Sequence, residues 1–112
     1  MPTIVDPKDP LFPLGRVVMT VGVARVAEKS EAFNVFVLST LPRHAQRDWG
    51  ELGNEDHQAN DQALIDGERI FSSYQLGPRL LVDAPIDNEQ NQLWLIAEAD
   101  RSITTILWPH NY

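Results

Sequence analysis

The pattern of apolar residues changes at Gly67. Before this glycine, apolar residues recur every three or four positions, as they do on one side of a helix. After it, apolar and polar residues alternate with a period of two, which is typical of strands. The order of the two patterns predicts an α+β fold, in which N-terminal helices pack on one face of a C-terminal antiparallel β-meander.

The first half of the chain opens with a predicted strand. Arg16–Val21 is rich in β-branched residues, which favour strands. A short helix is expected next, opening at Thr20 or Gly22. Ser30 is suited to cap a second helix, because its hydroxyl can accept a hydrogen bond from the first turn.

The run "FNVFVLS", residues 33–39, is compatible with a helix or a strand. A helix is favoured because Phe33, Val37 and Leu41 would then share one face. Pro42 predicts that a new helix starts there and runs through Arg43–Trp49.

A surface helix is expected between Asn54, a plausible N-cap, and Gly67, which suits its C-terminal end. Four strand candidates follow: "ERIFSSYQL", "RLLVDA", "LWLIAEA" and "SITTILW". The last two are separated by "ADRS", which predicts a tight turn.

The length and composition predict one domain and exclude several kinds of site. Prolines crowd residues 1–14, which predicts an extended arm before a single domain over residues 15–112. The chain has no cysteine, so thiolate chemistry is excluded. It has no phosphate-binding glycine loop and no recognisable metal-ligand spacing, so neither a cofactor nor a metal is expected. Without a signal peptide or a membrane span, a cytoplasmic protein is expected.

The charge narrows the choice of partners. The net charge is −7 over 112 residues. Such a chain repels nucleic acid unless its basic residues form a local patch. Two interpretations of the acidic surface stay open: it keeps the protein soluble, or it engages a protein partner that has a basic surface. Neither nucleic acid in general nor a membrane is expected as a partner.

Several blocks together resemble a family of small proteins from plasmids and integrated mobile elements, usually described as plasmid-related proteins. The blocks are "RHAQRDWG", "ED" with "AND" and "AL", "GERIFSSY" and "LWLIAEADRSITTIL", and the likeness runs from about Leu14 to Tyr112. The family pattern usually has glycine before "DWG", where this chain has Arg47. The resemblance implies a mobile-element accessory protein, and it brings no established reaction.

Polar residues in these blocks are candidates for chemistry. On a helix His44 and Asp48 would share a face, as an acid–base pair or as a simple surface pair. The turn "ADRS" and the strands on either side of it are expected to bring further polar groups close to His44 and Asp48. Arg101 is expected to pair with Asp48. The candidate catalytic residues are His44, Asp48, Arg69, Glu98, Arg101 and Thr105.

A second set of residues is expected to form a binding surface. Trp49 is expected to close the joint between two helices, beside a mostly acidic surface. Asp100 and Ser102 also suit a turn, with side chains bonded to the backbone. The candidate binding residues are Arg43, Trp49, Glu51, Glu55, Asp56, Asp61, Asp100 and Ser102.

Three functions remain open at this point. The favoured hypothesis is an acidic protein-binding module whose partner is a host defence, restriction or maintenance component. The alternative is a small metal-independent ribonuclease with the layout of barnase or RelE, which is an analogy of layout only. The third is a structural homo-oligomer, joined through Trp94 or Trp108 on an exposed sheet face.

Overall fold

Helices cover one face of a mixed four-stranded sheet. The computed structural model describes residues 12–77, Leu80 and residues 91–112. The predicted arm up to Leu11 and most of the strand candidate "RLLVDA" lie outside the described residues. The elements are β1 Arg16–Met19, α1 Val21–Lys29, α2 Glu31–Ala45, α3 Asn54–Asp66, β2 Ile70–Gln75, β3 Gln92–Ala97, β4 Ile103–Leu107 and a 3-10 turn Pro109–Asn111.

The α+β prediction is confirmed, but the sheet is not a purely antiparallel meander. Its strand order is β1-β4-β3-β2. The strands after Gly67 pair antiparallel as predicted, whereas β1 joins the edge of β4 in parallel, with Val17 beside Thr104. The backbone groups of β1 need partners, and the free edge of β4 supplies them. A local pattern predicts a strand, but it does not predict which edge the strand will join.

The second helix runs straight through the proline that was expected to start a new one. Ser30 caps α2 by accepting a hydrogen bond from the Phe33 N–H, at 3.1 Å. Phe33 and Val37 are fully buried, so the helical reading of residues 33–39 is confirmed. Pro42 lies inside α2. Because proline has no N–H, the carbonyl of Leu38, four residues earlier, has no helical donor, and this residue is exposed. The prediction of a helix over Arg43–Trp49 is wrong, because α2 ends at Ala45.

The first core cluster joins α1 and α2 to the middle of the sheet. Val23 and Phe33 are fully buried in it, and the ring of Phe33 lies 5.5 Å from that of Trp108. Trp108 is itself fully buried, so the alternative that places it on an exposed sheet face is wrong. A smaller second cluster brings α3 onto the other end of the same face.

The second cluster also holds the end of the predicted arm. Phe12 is buried, and Leu14 packs against the same cluster. The Leu14 carbonyl accepts a hydrogen bond from the Thr104 hydroxyl at 2.7 Å. These contacts attach the described end of the arm to the sheet.

The edge of β2 is closed by groups from outside the sheet. The side-chain amide of Asn60 in α3 donates to the Phe71 carbonyl and accepts from the Phe71 N–H. Two residues further along β2, the Ser73 N–H donates to the Trp49 carbonyl, and the Glu51 N–H donates to the Ser73 carbonyl. These bonds satisfy backbone groups that would otherwise be open to pairing with another chain.

Replacing Asn60 by alanine should therefore lower the free energy of unfolding by about 1–3 kcal/mol, because it leaves partly buried backbone groups without partners. Urea denaturation measures the loss. Gln58→Ala, an exposed position on the same helix, controls for the higher helix propensity of alanine. Equal midpoints for the two variants would show that the Asn60 amide does not stabilise the edge.

Candidate functional site on the open face of the sheet

His44 and Asp48 were predicted to share a helical face, but they lie apart in the structure. Asp48 lies beyond the end of α2, is exposed, and pairs with Arg43 at 2.6 Å between Nε and Oδ2. The Arg43 hydrogen bond lowers the pKa of Asp48, and the same bond raises the pKa of Arg43. The expected helical face is absent because the chain turns at Gln46 and Arg47.

His44 is fully buried instead of facing solvent. Its Nδ1 is hydrogen-bonded to the Ser72 hydroxyl on β2, and its Nε2 has no partner among the described residues. The rings of Phe12 and Trp49 meet it edge-on, at centroid distances of 5.3 and 5.8 Å. Burial, and to a smaller extent the charge of Arg101, lowers the pKa of His44 to about 4. The imidazole is therefore a neutral core group at neutral pH.

The other predicted catalytic residues have separate structural roles. Arg101 donates to the backbone carbonyls of Glu68 and Glu98, at 2.7 and 2.9 Å, and not to Asp48 as predicted. Glu98 pairs with Arg69 at 3.3 Å, because the two flank the paired residues Ile70 and Ala97. Thr105 projects to the open face of the sheet, opposite to the face that covers His44.

The turn before β4 is built by the residues that sequence analysis assigned to it. The Asp100 carboxylate accepts hydrogen bonds from the Ser102 N–H at 3.0 Å and from the Ser102 hydroxyl at 2.6 Å. These bonds lower the pKa of Asp100. The side chains of Asp100 and Ser102 therefore stabilise the turn by bonding to each other.

The segment around Trp49 joins α2 to the edge of the sheet. Trp49 is only 1% exposed, as predicted for a packing residue, and its Nε1 donates to Asp61 at 3.2 Å. That bond, with a second from Arg47, lowers the pKa of Asp61. Gly50 has a φ of 76°, and a side chain there would overlap the Ser73 carbonyl.

The remaining predicted binding residues lie on an acidic surface. Glu51, Glu55 and Asp56 are exposed, at or before the start of α3. The helix begins one residue earlier than predicted, with Gly53 rather than Asn54 as its N-cap. The acidic residues in its first turn are favoured there by the helix dipole.

An apolar pocket of about 320 Å³ lies on the face of the sheet that the helices leave uncovered. The Trp94 ring forms its centre and meets Phe71 at 4.7 Å and Tyr112 at 5.9 Å, both edge-on. The Trp94 Nε1 is buried and has no hydrogen-bond partner among the described residues. The lining residues are Arg69, Ile70, Phe71, Trp94, Ile96 and Tyr112.

Most of this pocket was not predicted, although the sequence contains a pattern that indicates it. In "LWLIAEA" the positions on both sides of the strand are apolar, so Trp94 and Ile96 must lie on one face while Leu93 and Leu95 lie on the other. The Leu93 side faces the helices. Trp94 was considered only as a contact between copies, and Tyr112 carried no pattern at all.

The described residues hold no group of three or more side chains suited to a metal ion. None of the helices in the described part of the chain is both long and apolar enough to cross a membrane. Comparison with protein-family models, curated proteins and solved structures finds no match to this chain. The resemblance to plasmid-related proteins therefore stays a prediction, and the pocket must be interpreted from its own geometry.

Proposed function

We propose that this protein is an acidic protein-binding module. Its pocket on the open face of the sheet takes an apolar side chain of the partner, and carboxylates of α3 contact basic residues beside it. The observation that carries the proposal is the aromatic pocket itself, which no described residue covers and which lies on a sheet whose other face is packed by helices. Aromatic side chains around a small apolar depression are typical of the energetic centre of a protein interface.

The centre of the pocket has both apolar surface and an unused donor. Phe71 and Trp94 are half-buried, so their rings are held in place while still offering contact area. The Trp94 N–H is buried and has no partner among the described residues, so it can donate to a carbonyl of the partner only after the groups that cover it move. A rigid ring with one polar group combines contact area with orientation.

The helix that carries most of the carboxylates in this proposal meets the sheet at the β2 edge, and β2 also lines the pocket. Asn60 ties α3 to the backbone of Phe71, a residue that lines the pocket. Exposed carboxylates on α3 and the link to β2 make no ion pair with any described residue. They belong to Glu55, Asp56, Asp66 and Glu68. With a net charge of −7, this surface would attract a basic partner and orient it as it approaches.

The resemblance supplies the class of partner in this proposal. A mobile-element accessory protein would act on a host or element-encoded protein of defence, restriction or maintenance. One detail of the backbone supports the resemblance. Arg47 has a φ of 68°, which is the conformation that glycine adopts without strain, and glycine is the usual residue of the family at this position.

The ribonuclease alternative has less support from the geometry. His44 is enclosed by aromatic rings and has no exposed surface. Arg43, Arg47 and Arg69 each lie within 4 Å of a carboxylate, so these three cations form no open basic patch for RNA.

Selection of a random peptide display library on the purified protein tests the proposal. We expect the enriched peptides to combine Lys or Arg with a single large apolar residue. Trp94→Ala should weaken their binding by more than 2 kcal/mol, which is about thirtyfold, because it removes the centre of the pocket. Isothermal titration calorimetry with one enriched peptide measures the change.

Matched variants separate the two parts of the surface. Glu55→Gln with Asp56→Asn should weaken binding severalfold, and the effect should disappear at high salt, because exposed charges are screened. Val35→Ala, an exposed position on α2, should have no effect. Peptides without basic residues, or binding that survives Trp94→Ala, would refute the proposed surface.

A further inference from the structure

The two edges of the sheet differ in how their backbone groups are satisfied. The β2 edge is closed by Asn60 and by the segment around Trp49. On β1, the N–H groups of Arg16 and Thr20 donate to carbonyls beside β4, at 2.8 and 3.0 Å. Since alternate residues of a parallel strand point their backbone groups to opposite sides, those of Val17 and Met19 point outward. No described residue hydrogen-bonds to them.

The open edge also carries an apolar stripe. Val17, Met19 and Val21 are 38%, 40% and 65% exposed, at alternate positions along the chain. Residues 12–27 contain no Asp or Glu, although the whole chain has 16. Natural proteins usually protect an open strand edge with charges or a covering segment. The carboxylates that cover other surfaces of this protein are missing here, and Arg16 is the one charged side chain of β1.

We propose that β1 pairs with β1 of a second copy of this chain. The strands run antiparallel about a two-fold axis at Val18, so that the two sheets become one continuous sheet. Val17 then lies opposite Met19 of the second copy, and each outward N–H meets an outward carbonyl. A two-fold interface requires a surface that complements itself, and this register satisfies that condition.

The side chains and charges that face each other in this register are also compatible with a dimer. Val17 and Met19 project to the same face, so the apolar stripes of the two copies meet. Arg16 lies opposite Thr20 of the second copy, so no like charges face each other. A second copy is favoured over an acidic segment of another protein, because Val17 and Met19 then meet apolar side chains instead of carboxylates. The pocket on β2 and β3 lies toward the other edge of the sheet and stays open.

The absence of cysteine makes the register directly testable. In the proposed dimer, Val18 faces its own copy in a pair without hydrogen bonds, with Cα atoms about 4.5 Å apart, which is close enough for a disulfide. Val18→Cys should therefore form a covalent dimer on mild oxidation. Arg16→Cys, on the same strand but away from the axis, and Val35→Cys, exposed on α2, should stay monomeric on non-reducing gels.

Sedimentation velocity over the micromolar range tests the dimer without any cross-link. The unmodified chain should sediment as a dimer, and the double variant Val17→Lys with Met19→Lys should sediment as a monomer with an unchanged circular dichroism spectrum. Val35→Lys is the matched control and should remain dimeric. A monomeric unmodified chain would overturn the proposal. A dimer that survives both lysines, or equal cross-linking of the three cysteine variants, would overturn it as well.

Discussion

Replacing Trp49 by alanine should lower the free energy of unfolding by about 3–5 kcal/mol, the usual cost of removing a fully buried tryptophan. The ring is 1% exposed and packs against Phe12 at 6.1 Å and His44 at 5.8 Å. Its loss would leave a cavity where the end of α2, the arm and the β2 edge meet. Urea denaturation followed by circular dichroism measures the effect.

The expected loss is a large part of the total stability of a domain, which is commonly about 5–15 kcal/mol. Trp94→Ala is the matched control, because Trp94 is half-buried on the open face and its removal leaves no enclosed cavity. The free energy of unfolding of Trp49→Phe should lie between those of Trp49→Ala and Trp94→Ala, because phenylalanine keeps most of the ring but loses the hydrogen bond to Asp61. An unfolding midpoint for Trp49→Ala equal to that of the parent would contradict the packing role.

The second large effect concerns acid. The stability of the protein should fall by about 3 kcal/mol between pH 7 and pH 4 because of His44 alone. In the unfolded chain the imidazole takes up a proton below about pH 6.5, whereas in the folded chain burial lowers its pKa to about 4. Over this interval the proton binds only the unfolded chain, so each step down in pH favours unfolding. Above pH 6.5 both states are neutral and His44 contributes no pH dependence.

His44→Gln removes the titrating group while keeping a polar side chain beside Ser72. The pKa values of Asp48, Asp61 and Asp100 are also lowered in the folded chain, but these carboxylates lose their contribution mainly below about pH 4. Free energies of unfolding measured from pH 7 to 4.5 should therefore fall steeply for the parent and much less for the variant. Parallel curves would mean that His44 titrates normally in the folded protein.

Several elements were predictable because their signals act over a few residues. Ser30 caps α2 by a bond to a residue three positions away, and Asp100 shapes its turn through Ser102, two positions away. Gly67 ends α3 in the left-handed conformation that glycine adopts without strain. The period of two after Gly67 places alternate side chains on opposite faces whatever the partner strand is.

Pro42 shows where local rules fail. Proline favours the start of a helix, but here α2 continues through it, because Phe33, Val37 and His44 are all buried along the same helix. The free energy of burying those side chains outweighs the cost of about 3 kcal/mol for a proline inside a helix. The sequence pattern contained the apolar face and the proline, but only the packed structure decided between them.

By itself, the sequence determined the fold class, the cap at Ser30, the turn at Asp100, the end of α3 at Gly67, the burial of Trp49 and the acidic character of α3. Only the tertiary structure decided the partners of the polar residues. His44 reached Ser72, 28 residues away, and Arg101 reached the carbonyl of Glu68, 33 residues away, instead of forming the patch expected from their neighbours. The same is true of the parallel pairing of β1 and of the pocket around Trp94. Caps, turns and strand periodicity depend on atoms close together along the chain, whereas these contacts depend on which surfaces meet when helices and sheet pack.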